Sequence, residues 1–309
     1  LHRRRGPGIE SSGEADDVAF AEQAPKLLQR AERDDVAAID DAVRNSKQGL
    51  GLLLAGMAML GVGLLFKFGA VPFHSWTPDV YVGAPTPVTG FMAACTKIAA
   101  VGALMRVFYV GLGADRWDWQ PAMAIIAVAT MAVGSVLAIT QTDVKRMLAY
   151  SSIAHAGFMM TAFVGASQAI TGSKPGALTS VSSVMFYLVA YGAATIGAFA
   201  LVTMVRDQTG EATTLNSWIG LGRRHPLAAT IFSIFMLSFA GIPLTSGFVG
   251  KWAVFAAAWS GGVQWLVVVA VVISVVAAFF YIRVIVLMFF ADPGKMATSV
   301  VRPGWTTLT

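Results

Sequence analysis

Seven apolar stretches, each long enough to cross a lipid bilayer, dominate this sequence. A membrane-spanning helix needs about 20 predominantly apolar residues, and the stretches lie at roughly 48–73, 87–111, 121–140, 147–167, 178–204, 227–257 and 263–290. The chain of 309 residues is 56% hydrophobic and 13% charged, about half the charged share of an average soluble domain. The short alternating strands of a membrane β-barrel are not seen. The sequence therefore predicts an all-α, polytopic bundle of about seven transmembrane helices.

Polarity divides the chain into three segments. Residues 1–47 are predicted to form a polar extramembrane segment, residues 48–290 the transmembrane domain, and residues 291–309 a polar tail. The basic residues lie in the connections between apolar runs, so we expect no nucleic-acid partner. The single cysteine, Cys95, excludes a disulfide framework and a cysteine metal site. The sequence shows no phosphate-binding loop and no nucleophile–base pair, so we expect no cofactor, metal or redox centre in this chain.

The basic residues of the short connections predict how the bundle is oriented. Cytoplasmic loops of membrane proteins carry an excess of Lys and Arg. We assign seven such residues to the cytoplasmic side and two to the other side; the first set is Lys145, Arg146, Arg206, Arg223, Arg224, Lys295 and Arg302, and the second is Arg116 and Lys174. The sequence thus predicts a multi-pass protein of the cell inner (plasma) membrane, and the Ala-, Val- and Arg-rich composition favours a bacterium.

Three lysines inside the apolar stretches are candidates for function. Lys67, Lys97 and Lys251 lie in apolar runs, whereas every acidic residue beyond position 50 lies in a loop or at the end of a run. An isolated lysine at the bilayer centre costs at least about 2.5–3.5 kcal/mol, and burial favours its neutral form. A lysine poised between the two forms can carry protons. Lys67 lies near the end of its run, where snorkelling of its side chain to the headgroups is the alternative.

A helix break is predicted next to Lys251. Gly241, Pro243 and Gly247 interrupt an apolar run that is otherwise long enough to cross the membrane. Proline removes a backbone donor, and non-helical backbone at membrane depth is tolerated only where protein or water satisfies it. Broken helices beside ionisable residues recur in ion-coupled transporters, although proline kinks without a function are also common. A similar grouping of lysine, glycine and proline around Lys67 suggests internal repeats.

Two further ionisable residues lie within apolar runs. His155 has two open interpretations: a neutral histidine that is hydrogen-bonded to a hydroxyl or a carbonyl, and a proton relay. Arg283 is expected to anchor or stabilise a helix, because arginine rarely gives up its proton.

Three stretches of the sequence carry a family resemblance. The first, KFGAVPFHSWTPDVYVGAPTPV, runs from Lys67 to Val88; the second is QTDVKRMLAYSSIAH at 141–155; the third runs from Ala240 to Lys251. Together they resemble the proton-translocating, antiporter-like membrane subunits of NADH–quinone oxidoreductase (respiratory complex I). That family also includes subunits of Mrp-type cation/proton antiporters. The WTPDVY motif is most similar to that of the N-type subunits. The similarity extends over about residues 48–290.

The resemblance implies a fold and roles for the candidate residues. The fold would contain inverted repeats, each with a discontinuous helix that bears a lysine. Lys67 resembles the lysine that pairs with a glutamate from an earlier helix, Lys97 the central relay lysine, and Lys251 the lysine of the second broken helix. The family subunit is longer, so we expect this chain to be a fragment that covers its C-terminal half.

The resemblance also implies a function. The chain would translocate protons through its buried lysines, coupled to NADH oxidation and quinone reduction elsewhere in the complex. Its partners would be the other membrane subunits of complex I and the lipid bilayer. The alternative is an Mrp-type sodium/proton antiporter subunit, and a purely structural membrane subunit is a third possibility that the deep lysines disfavour.

Overall fold

The structure is a bundle of mostly long helices. The computed structural model describes residues 38, 50–113, 116–165, 179–207, 210–292 and 299–300. Its α-helices are α1 (Leu50–Phe68), α2 (Trp76–Gly83), α3 (Thr86–Arg106), α4 (Arg116–Thr140), α5 (Val144–Val164), α6 (Ser180–Met204), α7 (Leu221–Arg224), α8 (Pro226–Ala240), α9 (Ser246–Ser260) and α10 (Gln264–Phe289). A π-helical turn, Val107–Gly111, continues α3, and a 3-10 turn, Leu215–Trp218, precedes α7. Apart from residue 38, the predicted polar segment 1–47 lies outside the described residues, as does most of the tail 291–309.

Five of these helices are long and apolar enough to cross a membrane, namely α3 with its π-helical turn, α4, α5, α6 and α10. The all-α, polytopic fold is therefore confirmed, but the predicted count of seven spans is not. The run 227–257 forms two helices of 15 residues each, α8 and α9, which are separated by a break. The run 48–73 contains α1 alone, and α2 follows after a second break.

Helix α5 occupies the centre of the bundle, and nearly all of its side chains are buried. It packs closely on α4 because glycines face the neighbouring backbone in both directions. A Cβ atom on Gly134 of α4 would lie 2.5 Å from the Ala154 nitrogen, and a Cβ atom on Gly157 of α5 would lie 2.6 Å from the Met131 nitrogen. Small residues allow this approach, which favours helix association where lipid provides no hydrophobic drive.

A small antiparallel sheet closes one end of the bundle. Strands β1 (Val205–Asp207), β2 (Gly210–Glu211) and β3 (Ser299–Val300) pair in the order β2-β1-β3. At the same end, Asp143 forms a bridge with Thr214, and Arg223 forms an ion pair with Asp292 at 3.3 Å. These contacts gather the connections that the sequence assigned to the cytoplasm, and we call this the basic end. The strands were not predicted, because strands of two or three residues show no alternation of polarity.

The opposite end carries exposed tryptophans. Arg116 and Gln120 of α4 donate hydrogen bonds to the Val164 carbonyl, at 3.3 and 2.9 Å, where α5 ends. The exposed indoles of this end belong to Trp117, Trp259 and Trp265. Tryptophan is enriched at membrane–water interfaces, so this tryptophan end fits one boundary of the bilayer. Which side of the membrane it faces stays a prediction.

Candidate functional site

Two broken helices frame the candidate site, and they share a backbone device. Gly69, directly after α1, has φ 77°, and Gly241, directly after α8, has φ 79°. Both are left-handed, a conformation that glycine adopts without strain and that commonly ends helices. Pro72 and Pro243 then follow, and neither can donate a backbone hydrogen bond. Beside Lys251, the chain is non-helical from Gly241 to Thr245, which includes Pro243, whereas Gly247 is the second residue of α9.

Lys251 stabilises the second break. Its buried ammonium donates hydrogen bonds to the carbonyls of Phe239 and Ala240, at 3.0 and 2.9 Å, and to the Ser274 hydroxyl of α10 at 2.9 Å. In a continuous helix the Phe239 carbonyl would accept from residue 243, but Pro243 has no N–H. The ammonium thus takes the place of a missing backbone donor at the negatively polarised C-terminus of α8.

Lys97 lies at the other side of the bundle centre. It is 3% exposed, and its ammonium donates to the Ser152 carbonyl of α5 at 2.9 Å. It also lies over the Phe68 ring, 5.3 Å from the centroid, at the end of α1. Cation–π attraction of this kind gains strength where water is excluded. Lys97 and Lys251 therefore each adjoin one of the two helix breaks.

His155 lies between these lysines in a ring of tyrosines. Its Nδ1 atom is 2.6 Å from the Tyr187 hydroxyl, and its Nε2 atom is 3.1 Å from the Tyr281 hydroxyl. A neutral imidazole has one donor nitrogen and one acceptor nitrogen. One of the two contacts therefore has the imidazole donating and the other has a tyrosine donating. Such a histidine can accept a proton at one nitrogen while it releases one from the other.

The three ionisable side chains are arranged in order along one helix. On α5, Ser152 accepts from Lys97, His155 follows three residues later, and Phe158 follows three residues after that. The ammonium of Lys251 lies over the Phe158 ring, 4.8 Å from the centroid. Three residues advance about 4.5 Å along a helix. The structure therefore brings Lys97, His155 and Lys251 into one buried row along the centre of the bundle.

A small cavity connects the histidine to the second break. It has room for about one water molecule, and its lining includes the imidazole, two tyrosines and a serine; the lining residues are His155, Tyr187, Ala190, Tyr191, Ser238, Phe239 and Gly247. A buried water is stable where it finds two to four polar partners. The cavity thus offers a hydrogen-bonded link from His155 to the end of α8.

Lys67 is not part of this row, and it lies in the last turn of α1, beside the first break. The sequence placed it near the end of a span, but the first break lies near mid-bundle, because the Val71 N–H donates to the Thr130 hydroxyl at 3.0 Å near the middle of α4. Helix α2 then continues to the basic end. The hydropathy pattern alone did not reveal this break, because polar residues after Pro72 also mark the end of a membrane span. The Lys67 side chain is exposed in this chain, and its role as a proton carrier stays a prediction.

Arg283 fits the anchoring role that was expected of it. It donates a hydrogen bond from Nη1 to the Ile139 carbonyl at 3.0 Å, in the last turn of α4. A cation at a helix C-terminus is stabilising.

In the part of the chain that the structure describes, no three metal-ligating side chains come together.

The tyrosines around His155 were missed by the sequence reasoning. Tyr187 and Tyr191 lie on α6 and Tyr281 on α10, and all three are buried. A signal was present, because a tyrosine inside an apolar run must find a partner for its hydroxyl. Their convergence on one histidine depends on how three helices pack, which a single sequence does not specify.

We expect the substitution Gly247→Ala to destabilise the protein by separating α8 from α9. A Cβ atom on Gly247 would lie 1.8 Å from the Ser238 carbonyl oxygen, so the backbone must move. Overpacking of this kind costs about 1–3 kcal/mol. Gly63→Ala is the matched control, because a Cβ atom there meets nothing within 4 Å. Thermal unfolding in detergent should give a lower midpoint for Gly247→Ala than for Gly63→Ala; equal midpoints would contradict the close packing at the break.

A family model matches most of the chain. The model described as "NADH:quinone oxidoreductase/Mrp antiporter, TM" matches residues 27–277. NADH-quinone oxidoreductase subunit N of Rhodococcus opacus (strain B4) is 59% identical over 269 residues, which are 87% of this chain and 48% of that protein. This chain thus spans about half the length of the curated relatives it matches.

Solved structures share the fold. A chain of respiratory complex I from Thermus thermophilus with bound aureothin is 33% identical, with a TM-score of 0.67 over 96% of this chain and 64% of that chain. A chain of the Mrp complex from Dietzia sp. DQ12-45-1b is 20% identical, with a TM-score of 0.67 over 88% of this chain and 51% of that chain. At that identity, the second likeness shows a common fold only.

Proposed function

Because this chain belongs to the NADH:quinone oxidoreductase/Mrp antiporter family of transmembrane proteins, we propose that it is part of a proton-translocating membrane subunit of NADH–quinone oxidoreductase. The protein lies in a bacterial inner membrane. NADH oxidation and quinone reduction take place elsewhere in the complex, and this chain contributes a route for protons. Its partners are the other membrane subunits of that complex. The identity to curated N subunits supports this assignment.

The observation that carries the proposal is the buried row along α5. Lys97, His155 and Lys251 are each at most 5% exposed, and hydroxyl groups or backbone carbonyls accept from both ammonium groups. Isolated ionisable groups at membrane depth are costly, and in membrane proteins they mark ion and proton pathways. A purely structural subunit gives no account of three such groups in a single row.

The chemistry of the row follows from its contacts. A proton on Lys251 Nζ allows three hydrogen bonds at once, two of them to the end of α8. Loss of that proton leaves one fewer donor for these three acceptors, so the geometry of the break depends on the protonation state. His155 exchanges protons through the hydroxyls of Tyr187 and Tyr281. Each transfer moves one proton between neighbouring oxygen and nitrogen atoms and needs no redox group.

The Mrp-type antiporter is the alternative function. The shared fold is compatible with an antiporter subunit. The N-type sequence of the first motif and the 59% identity to an N subunit favour the respiratory complex instead. A copurification experiment separates the two. When the tagged whole protein is solubilised in mild detergent, it should copurify with subunits that reduce artificial acceptors with NADH.

Two outcomes of this experiment are decisive. NADH-dependent acceptor reduction in the tagged fraction supports the proposal. Copurification with antiporter subunits in a fraction that lacks this activity would favour the Mrp-type alternative instead. A strain that carries the untagged protein is the control for nonspecific retention.

A further inference from the structure

A third buried lysine, Lys145, lies at the basic end and outside the row described above. Its side chain is 4% exposed, although it belongs to the first turn of α5. Its ammonium donates to the carbonyls of Val82 and Ala84, at 3.2 and 2.9 Å. These carbonyls belong to the end of α2, the second half of the first broken helix. Lys145 thus caps α2 much as Lys251 caps α8.

Glu211 is the acidic partner of Lys145. Its Oε2 atom lies 4.0 Å from Lys145 Nζ, and it accepts a hydrogen bond from the hydroxyl of Thr86, the first residue of α3. The carboxylate therefore lies at the positively polarised N-terminus of the helix that carries Lys97. Its side chain is 26% exposed, whereas Thr86 is fully buried. The Glu211 carboxylate is therefore partly exposed at the surface and also bonded to a buried hydroxyl group.

Polar groups continue from this pair towards Lys97. Lys145 and Ser152 lie seven residues apart on α5, so they share a face about 10.5 Å apart along the axis. The Tyr81 hydroxyl of α2 lies 3.5 Å from the Ser152 hydroxyl, and the Ser152 carbonyl accepts from Lys97. The Lys145–Glu211 pair and the buried row therefore lie along the same face of α5.

We propose that Glu211 takes up protons from the aqueous phase at the basic end and delivers them to the row that begins at Lys97. This inference rests on the proposed function. A proton from water binds the Glu211 carboxylate, which weakens its attraction to Lys145. The proton then leaves through Thr86 or a water molecule towards Tyr81 and Ser152, and the carboxylate is ionised again. Two further charged groups adjoin the pair: Asp143, which is the N-cap of α5, and Arg206, which is paired with Glu211 in the sheet. The nearby Arg146 forms an exposed ion pair with Asp79 at 3.5 Å.

The substitution Glu211→Gln tests the proposal. Glutamine still accepts from Thr86 but binds no proton, so we expect proton uptake per assembled complex to fall severalfold in membrane vesicles. Asp292→Asn is the matched control, because Asp292 lies at the same end and pairs with Arg223 at the surface. Uptake by Glu211→Gln equal to that of Asp292→Asn would overturn the proposal.

A double variant separates proton uptake from simple charge pairing. Removing Glu211 alone leaves a buried lysine without its acidic partner, which can impair assembly. Lys145→Met combined with Glu211→Gln removes both charges of the buried pair together. If Glu211 only neutralises Lys145, the double variant regains normal uptake, and the proposal fails. If Glu211 carries the proton, the double variant assembles but its uptake stays low.

The same series distinguishes this inference from the function on which it rests. Lys251→Ala, measured in the same vesicles, tests the row itself. Low uptake in Lys251→Ala together with normal uptake in Glu211→Gln would reject Glu211 as the uptake residue and leave the row intact. Normal uptake in both would reject both proposals.

Discussion

Replacement of Lys251 by alanine, in the whole protein assembled in its complex, is expected to lower proton pumping severalfold while NADH oxidation with an artificial acceptor survives. The substitution removes the ammonium that links the end of α8 to Ser274 of α10 at the break. It touches no group that handles electrons, so electron transfer from NADH should not depend on it. Acceptor reduction, proton uptake and the amount of assembled complex are measured in the same vesicles.

Lys251→Arg and Arg283→Ala are the controls for this prediction. Arginine keeps the positive charge but does not release its proton at accessible pH, so Lys251→Arg should not restore pumping fully. Arg283 also caps a helix C-terminus, by donating to Ile139, but it lies outside the row. Arg283→Ala should therefore reduce stability and leave pumping per assembled complex unchanged. Full rescue by arginine would mean that Lys251 only anchors the helix.

Much of the site was predictable from the sequence, because placing ionisable side chains inside a membrane costs free energy. Lys97 and Lys251 stand out since ionisable residues are rare in apolar runs, and Gly241 and Pro243 mark a break by local rules that need no tertiary information. The all-α polytopic fold follows from the same apolar runs. These features depend on residue type and spacing within one segment.

The remainder depends on packing between segments. Tyr187 and Tyr281 lie on different helices, and only the bundle brings them to His155. The Lys145–Glu211 pair joins residues 66 positions apart through a sheet too short to predict. Lys67 was placed at a span end because a hydropathy profile does not distinguish the end of a span from a break inside one.

The second large effect is expected from paired substitutions in the row. Lys97→Ala alone should lower pumping severalfold, because it removes the cation that donates to α5 at Ser152. Residues that act as one unit are strongly non-additive, whereas independent sites contribute additively to the free energy. Lys97 and Lys251 lie on the same row through His155, so we expect them to act as one unit.

The central claim is that Lys97, His155 and Lys251 form a single route, and the double variant Lys97→Ala/Lys251→Ala tests it most directly. Proton pumping per assembled complex is compared among the two single variants, the double variant and the unsubstituted protein. A single route predicts that the double variant pumps no more slowly than the slower single variant. Two losses that multiply, or normal pumping by either single variant, would contradict it.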